Sequence, residues 1–281
     1  MNVKEYAINA GDVFVLPEAA VKVKQLIDDD ATCIEDIAEV INYDPAIMSQ
    51  VLKISNSALY KFPNTITTVA KAIQVIGTRS IYDLVLAYGV SRAFQKISPD
   101  VIDLDQYWEQ AVSCALLCKY FAEELGLKEP EKLFVCGLLH NLGELVLVKL
   151  DPEKASQCAA ISSESSPLML QKKYLGFSYA AISSELLKLW GIPSDIAETV
   201  GNTHVSENKA KTNEDKIMQL AYLLARNNIN SGYYPIHGDV SEQMYQSLGL
   251  DIEAVNNALD FSNLQLMSAL ALFSPSSLAM F

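Results

Sequence analysis

The sequence holds only three histidines in 281 residues, and that scarcity narrows the chemistry open to it. Imidazole is a usual holder of a catalytic divalent cation, so a metal-dependent hydrolase of the histidine-ligated kind has little to draw on here. Positive charge is also short. Against 34 Asp and Glu stand 21 Lys and Arg, and the net charge of -13 leaves no electrostatic footprint for DNA, RNA or an anionic lipid surface. The five cysteines, at 33, 114, 118, 136 and 158, form neither a Cys-x-x-Cys pair nor a metal-ribbon spacing. Cys114 and Cys118, like Cys136 and His140, stand four apart, and two ligands alone leave a zinc site unfinished. An odd number of cysteines fits reduced, buried thiols. A Gly-rich phosphate loop, a fixed-period repeat and alternating runs long enough for a sheet are all missing. The opening Met-Asn-Val-Lys-Glu-Tyr lacks the basic start and apolar centre of a signal peptide, so a cytoplasmic location is expected. Residues 133–150 and 264–281 are the most apolar runs. Polar residues interrupt both (His140, Asn141, Glu144 and Lys149 in the first; Ser274 to Ser277 in the second), short of the roughly 20 apolar residues of a membrane span.

What is present is apolar residue at helical spacing, half of the whole chain, punctuated by helix caps. Leu16, Ala20, Val23 and Ile27 follow Pro17 and end at Asp28-Asp29-Asp30. Thr32 and Glu35 have the capping-box spacing before Ile34, Ile37 and Ile41. Asp44-Pro45 starts a third helix, because the aspartate accepts from free backbone amides and proline at the first position forfeits no hydrogen bond. That helix ends in Ser55-Asn56-Ser57-Ala58-Leu59-Tyr60, a polar cluster for which a C-terminal cap and a binding site are both open readings. Thr67 or Thr68 caps the next helix and Gly77 closes it. Ser98-Pro99-Asp100 reads as the main internal boundary, and a long helix runs from about Asp105 to Leu125. A central helix spans about Glu131 to Leu150, further helices follow to about Asn227, and three or so short ones fill the remainder. The fold expected is all-α, an irregular multi-helix bundle.

Within the central helix, Gly137-Leu-Leu-His140-Asn141-Leu-Gly143-Glu144-Leu sets an imidazole, an amide and a carboxylate into apolar surroundings. A polar group buried there without a partner costs about 1–3 kcal/mol, so His140 and Asn141 require neighbours, water or a ligand. A hydrogen-bonded core histidine is the plainer alternative.

Leu16-Pro17, Tyr43-Asp44-Pro45, Ser55 to Tyr60, Ala72-Ile-Gln-Val-Ile-Gly77 and Gly137 to Leu145 together resemble, in order and spacing, the HDOD domains, a divergent branch of the HD superfamily of metal-dependent phosphohydrolases. The likeness covers about residues 12 to 226. It implies an HD-like helical core preceded by an N-terminal helical subdomain: residues 1–98 as the N-terminal half, 99–227 as the HD-like half with a degenerate metal site, and 228–281 as a C-terminal helical extension packing on the bundle. In catalytic relatives the corresponding segment carries His-Asp, joined by an earlier histidine and a later aspartate on one or two divalent metals. By that resemblance Gln110 stands where the earlier histidine would be, Asn141 replaces the paired aspartate, Tyr222 falls near the later aspartate, and Tyr179 near a further histidine of some relatives. His140 alone survives; His204 reads as part of a surface loop.

The reading that follows is a non-enzymatic regulatory module for signal transduction. It has no catalytic residue, no metal and no cofactor, and a degenerate cleft of Gln110, His140, Asn141, Glu144 and Tyr222 that serves recognition, with Asn56, Ser57 and Tyr60 as a signature polar cluster. Expected partners are a separate signalling protein and a small-molecule ligand, with no nucleic acid and no membrane. The competing reading is a phosphohydrolase with a metal shell rebuilt from carboxylates such as Glu144 or Asp83. A third has the apolar tail (Leu264, Leu266, Met267, Leu270, Leu272 and Phe273) scaffolding an oligomer, although such residues more often pack on their own bundle.

Overall fold

A computed structural model describes residues 1–273 except 30, 58, 61, 95–96, 98–99 and 206–209. Asp30, Ala58 of the polar cluster, the Ser98-Pro99 boundary and the polar interruption at 274–277 therefore lie outside the described residues. Among those described, regular structure is helical throughout: sixteen α-helices, one 3-10 turn and an isolated bridge between Ser162 and Ser165. The chain forms two compact units, one of Val15–Gln95 with Met267–Phe281, the other of Met1–Phe14 with Lys96–Leu266.

The first helix, α1 (Val3–Val13), has no counterpart in the sequence reading. Its signal is a capping box: Asn2 Oδ1 accepts from Glu5 N at 3.0 Å, and Glu5 Oε2 accepts from Asn2 N at 2.8 Å. It groups with the second half of the chain, where Tyr6 donates its hydroxyl to Asp151 Oδ2 at 2.7 Å.

The smaller unit holds α2 (Glu18–Ile27), α3 (Ile34–Asn42), α4 (Pro45–Ser55), α5 (Val69–Ile76) and α6 (Thr78–Ala93). The capping box of α3 starts one residue later than Thr32-Glu35. Cys33 occupies the cap and its amide donates to Asp36 Oδ2 at 2.9 Å. Asp44 caps α4 through Ala46 N and Ile47 N, and Thr68 caps α5, as their sequence positions predict. The end of α4 is tied to the following loop by one side chain. Asn56 Nδ2 donates to Leu52 O and Ile66 O, and its Oδ1 accepts from Ile66 N, all at 2.8 Å. Ile81 to Ser91 of α6 are buried all round, and Gly89 lets Pro17 and Ala20 approach so closely that an added Cβ would stand 3.2 Å from Pro17.

The larger unit is built on α7 (Leu104–Glu124), α8 (Pro130–Leu139), α9 (Leu142–Leu150), α10 (Pro152–Ala159), α11 (Pro167–Leu175), α12 (Tyr179–Leu189), α13 (Ser194–Gly201) and α14 (Asn213–Ile229). The expected single helix from 131 to 150 is two, broken at His140-Asn141, where Asn141 leaves helical geometry (φ -108°, ψ 17°). A glycine on each side of the break explains its setting. A Cβ on Gly137 would lie 2.6 Å from Ala115 Cα of α7, and one on Gly143 would lie 2.3 Å from Tyr179 O of α12. Each glycine thus lets two backbones meet where any side chain would hold them apart. The span Pro130–Leu150 is apolar enough to cross a membrane by composition, and 83% of its most apolar window is buried inside the protein.

Beyond α14 the sequence reading of three or so short helices is replaced by one short helix, α15 (Glu242–Gln246), and one long helix, α16 (Ile252–Phe273). Ser262 of α16 shares a hydrogen bond with Ser113 of α7 at 3.0 Å, and in the smaller unit Leu272 O accepts from Gln50. Leu272 and Phe273 are buried while Leu264 and Met267 are exposed, so the tail spends part of its apolar surface on its own fold.

Gly143→Ala forces a Cβ against a backbone carbonyl that cannot yield. It is expected to destabilise the fold by about 3 kcal/mol or more in urea unfolding. Gly11→Ala, in α1 with nothing within 4 Å of the new Cβ, is expected to stabilise by about 0.5–1 kcal/mol. A neutral Gly143→Ala would refute close backbone approach as the reason for that glycine.

Candidate functional site

The break between α8 and α9 leaves backbone groups without helical partners, and one hydroxyl takes up two of them. Ser183 Oγ accepts from Gly143 N at 2.9 Å, and its one proton is shared between His140 O at 3.0 Å and Tyr179 O, one turn back on α12, at 3.1 Å. Ser183 itself is fully buried. His140 satisfies a further orphan: its Nδ1 is 2.7 Å from Gly137 O, a carbonyl in the last turn of α8. A carbonyl only accepts, so Nδ1 carries the proton and Nε2 of the neutral ring is an acceptor. Nε2 is buried and has no hydrogen-bond partner.

The break opens onto a cavity of about 250 Å³. Gln110, His140, Asn141, Glu144 and Tyr222, drawn from α7, the break itself, α9 and α14, all line it. So does Tyr179 of α12. Sequence reasoning gave no role to Tyr107, Gln106, Gln171 or Asn230, which complete much of the polar wall. Their signal was weak, since a tyrosine or glutamine at helical spacing is ordinary boundary material. Gln171 Oε1 accepts from Tyr179 N at 2.9 Å, and Asn230 Nδ2 donates to Gln110 Oε1 at 3.3 Å. The Tyr107 hydroxyl is buried without a partner, and that of Tyr179 has no hydrogen bond beyond the neighbouring Cys158 thiol.

Two sequence readings change here. His204 is not on a surface loop: it ends a 3-10 turn (Asn202–His204), half-buried, with its ring edge-on to Tyr222 at 4.6 Å. His140 meets Tyr222 in the same manner at 5.5 Å, so the tyrosine ring has an imidazole for each of two edge contacts. Asp83, offered as a carboxylate for a rebuilt metal shell, belongs to α6 in the other unit, is ion-paired to Arg79 at 3.5 Å and does not line the cavity. Nor do Asn56, Ser57 and Tyr60 line it: Asn56 is spent on backbone, Ser57 Oγ donates to Ile54 O at 2.7 Å, and Tyr60 stacks on Phe62.

Burial dominates the electrostatics. The glutamic acid at 144 is pushed up to about 7 because burial penalises its charged form, against the opposing pull of the Asn141 amide it accepts from and of nearby His140. His140 is pushed down to about 4 by burial, and His204 to about 3 by burial with help from His140, Lys172 and Arg226. Burial also raises the hydroxyls of Tyr107, Tyr179 and Tyr222. Near pH 7 the imidazoles and phenols of the wall are therefore neutral and Glu144 has lost much of its charge, while the cavity's other carboxyl, Asp103, is exposed. The HD superfamily's metal does not fit these residues. Among the described residues no three His, Cys, Asp or Glu side chains gather where they could hold an ion, and the expected ligand positions carry an amide, an amide and a phenol.

Fold and site together define an all-α protein whose polar cavity is built at a helix break. Residues 13–206 match the HDOD domain, and the chain belongs to the HDOD domain family. Its fold is shared with a candidate phosphohydrolase of Shewanella amazonensis SB2B (TM-score 0.72, 22% identity, 97% of this chain and 98% of that one). An HDOD domain protein of unknown function from Geobacter sulfurreducens shares it too, with a TM-score of 0.72, 17% identity and coverage of 96% and 98%. An uncharacterised protein of Treponema pallidum is 26% identical over 200 residues, which is 69% of this chain and 38% of that protein. The chain thus spans well under half of that curated relative's length.

Two substitutions test this geometry. Ser183→Ala strands a buried amide and is expected to cost about 2 kcal/mol in urea unfolding, where Ser184→Ala, one residue along, costs less. The carboxyl at 144 and the histidines have opposite linkage. As pH falls through 7 the folded protein takes a proton on Glu144 that the unfolded chain takes only near 4.5, which stabilises it. From 6.5 downward the unfolded chain protonates histidines that the folded protein protonates only near 4 and 3, which destabilises it. Glu144→Gln removes the compensating group. Between pH 7 and 5 its stability is expected to fall more steeply than that of the unsubstituted protein, by on the order of 2 kcal/mol, and at pH 8 the variant is the more stable. Parallel pH profiles would refute the assignment.

Proposed function

We propose that this HDOD protein is a non-enzymatic signal-transduction module, in which the cleft that holds metal in catalytic HD relatives serves as a binding cavity for a small ligand. A separate protein partner then reads whether the cavity is filled. The observation that carries this reading is the donor set. One imidazole and two carboxyls line the cavity. Of the carboxyls, Asp103 is exposed and caps α7 through Gln106 N, which leaves His140 and Glu144 among neutral amides and tyrosines where a hydrolase needs several anionic or imidazole ligands converging on a metal. That wall is suited to orienting a guest by hydrogen bonds. Its unpartnered acceptor at His140 Nε2 and the partnerless Tyr107 hydroxyl are groups whose burial a guest or water would compensate. The cavity volume equals that of about eight liquid waters, which suits a metabolite fragment rather than a macromolecule.

Elemental analysis of protein purified without chelator, alongside His140→Ala, tests the reading. The expected result is less than a tenth of an equivalent of manganese, iron, nickel or zinc in either protein. Near-stoichiometric metal that is lost in His140→Ala would overturn it and restore the phosphohydrolase.

A further inference from the structure

Three of the cavity's aromatic walls are tyrosines, Tyr107, Tyr179 and Tyr222, and no lysine or arginine lines it. Arg226, buried beside Tyr222 with its guanidinium 6.0 Å from the ring centroid, is spent on Asn227 and on Asp239. Leaving aside the exposed Asp103, the two lining side chains that can bind a guest most strongly are both acceptors. Nε2 of His140 has its lone pair free because Nδ1 serves Gly137 O, and the Glu144 carboxyl has an oxygen beyond the one taken by Asn141. A phosphoester or carboxylate guest would set its own oxygens against these acceptors with no cation to offset the charge. An N–H-bearing cation would satisfy both, give the half-buried Glu144 a counter-charge, and lie beside three aromatic rings, groups that attract cations.

Resting on the reading of the cavity as a ligand site, we propose that its guest is a small organic cation bearing N–H groups, a primary ammonium or a guanidinium, seated among the three tyrosines and hydrogen-bonded to His140 Nε2 and Glu144. Binding ionises Glu144. The other titratable groups around that carboxyl are His140, the three tyrosines and Cys158, each held neutral at pH 7 by burial, and the cavity's second carboxyl, Asp103, stands exposed at the cap of α7, so the proton released on binding is assigned to Glu144.

Calorimetric titration of the full chain at pH 7 tests this with methylguanidine and 1,4-diaminobutane as cations, N-methylurea and butyramide as neutral counterparts, and inorganic phosphate as the anion. The cations are expected to bind at least tenfold more tightly than the neutral compounds and to release close to half a proton, read from the heat in buffers of different ionisation enthalpy. Glu144→Gln, checked for folding by circular dichroism, is expected to lose that preference and the proton release together. Should that variant fail to fold, the proton release of the unsubstituted protein decides alone. N-methylurea or phosphate binding as tightly as methylguanidine would overturn the cation assignment while leaving the cavity a ligand site. No binding by any probe up to 10 mM, roughly the weakest affinity worth the name of recognition, would remove both.

Discussion

The hydroxyl of Ser183 is the contact on which the site depends. A helix can be interrupted inside a protein core only if the amides and carbonyls it abandons find other partners. Here the amide of Gly143 and the carbonyl of His140 meet at one buried serine on α12. The serine reaches them because Gly143 brings α9 against the backbone of Tyr179, and Gly137 does the same for α8 against Ala115. Two missing side chains and one small polar one thus accommodate a break that divides one apolar run into two helices. His140 and Asn141, at the break, become part of a cavity wall rather than rungs in a buried helix.

That placement decides what the polar groups can be. Buried on nearly every side, His140 cannot hold a proton at neutral pH, and Glu144 gives up much of its charge. A carboxylate and an imidazole paired in this way lack the density of negative ligands that makes a divalent cation stay. The amides at 110 and 141 add dipoles and no charge. His140 and His204 edge onto Tyr222 from separate elements, α8's end and the 3-10 turn, so this tyrosine is a packing centre for two imidazoles. An aspartate placed at 222 alone would remove that packing and set another carboxyl near Glu144, so a single substitution does not make a metal site here.

Caps are local, and they were legible. Asp44-Pro45 and Thr68 sit where their positions indicate, because a side chain and an amide two or three residues on need nothing else. The all-helical class follows from the same signals. The break at 140–141 was not legible, since Gly-Leu-Leu-His-Asn-Leu-Gly is also acceptable in a continuous helix; what breaks it is a serine some forty residues later. The burial of His204 depends on Tyr222 and was hidden for the same reason. Tyr107 and Gln171 reach the cavity only because α7 and α11 face it, a tertiary fact with no trace in their neighbours along the chain. The long α16 was obscured by its mixture of exposed and buried apolar residues, Leu264 beside Ser262 and Met267 before Phe273, which reads as several short helices when the partner surfaces are unknown.

The signature residues of the two units do different work, and the difference lies in where their hydrogen bonds go. Asn56 matches the family pattern as well as His140 does, yet its amide is consumed by Leu52 and Ile66, and nothing on it remains to bind a guest strongly. His140 is half consumed: one nitrogen holds its own helix end and the other is left over. A polar residue that its own backbone fully satisfies has a sufficient reason to be there, which is architecture. One left with an unpaired, buried atom at the wall of a cavity incurs a desolvation cost that its own backbone does not recover and that water or a guest in the cavity would offset.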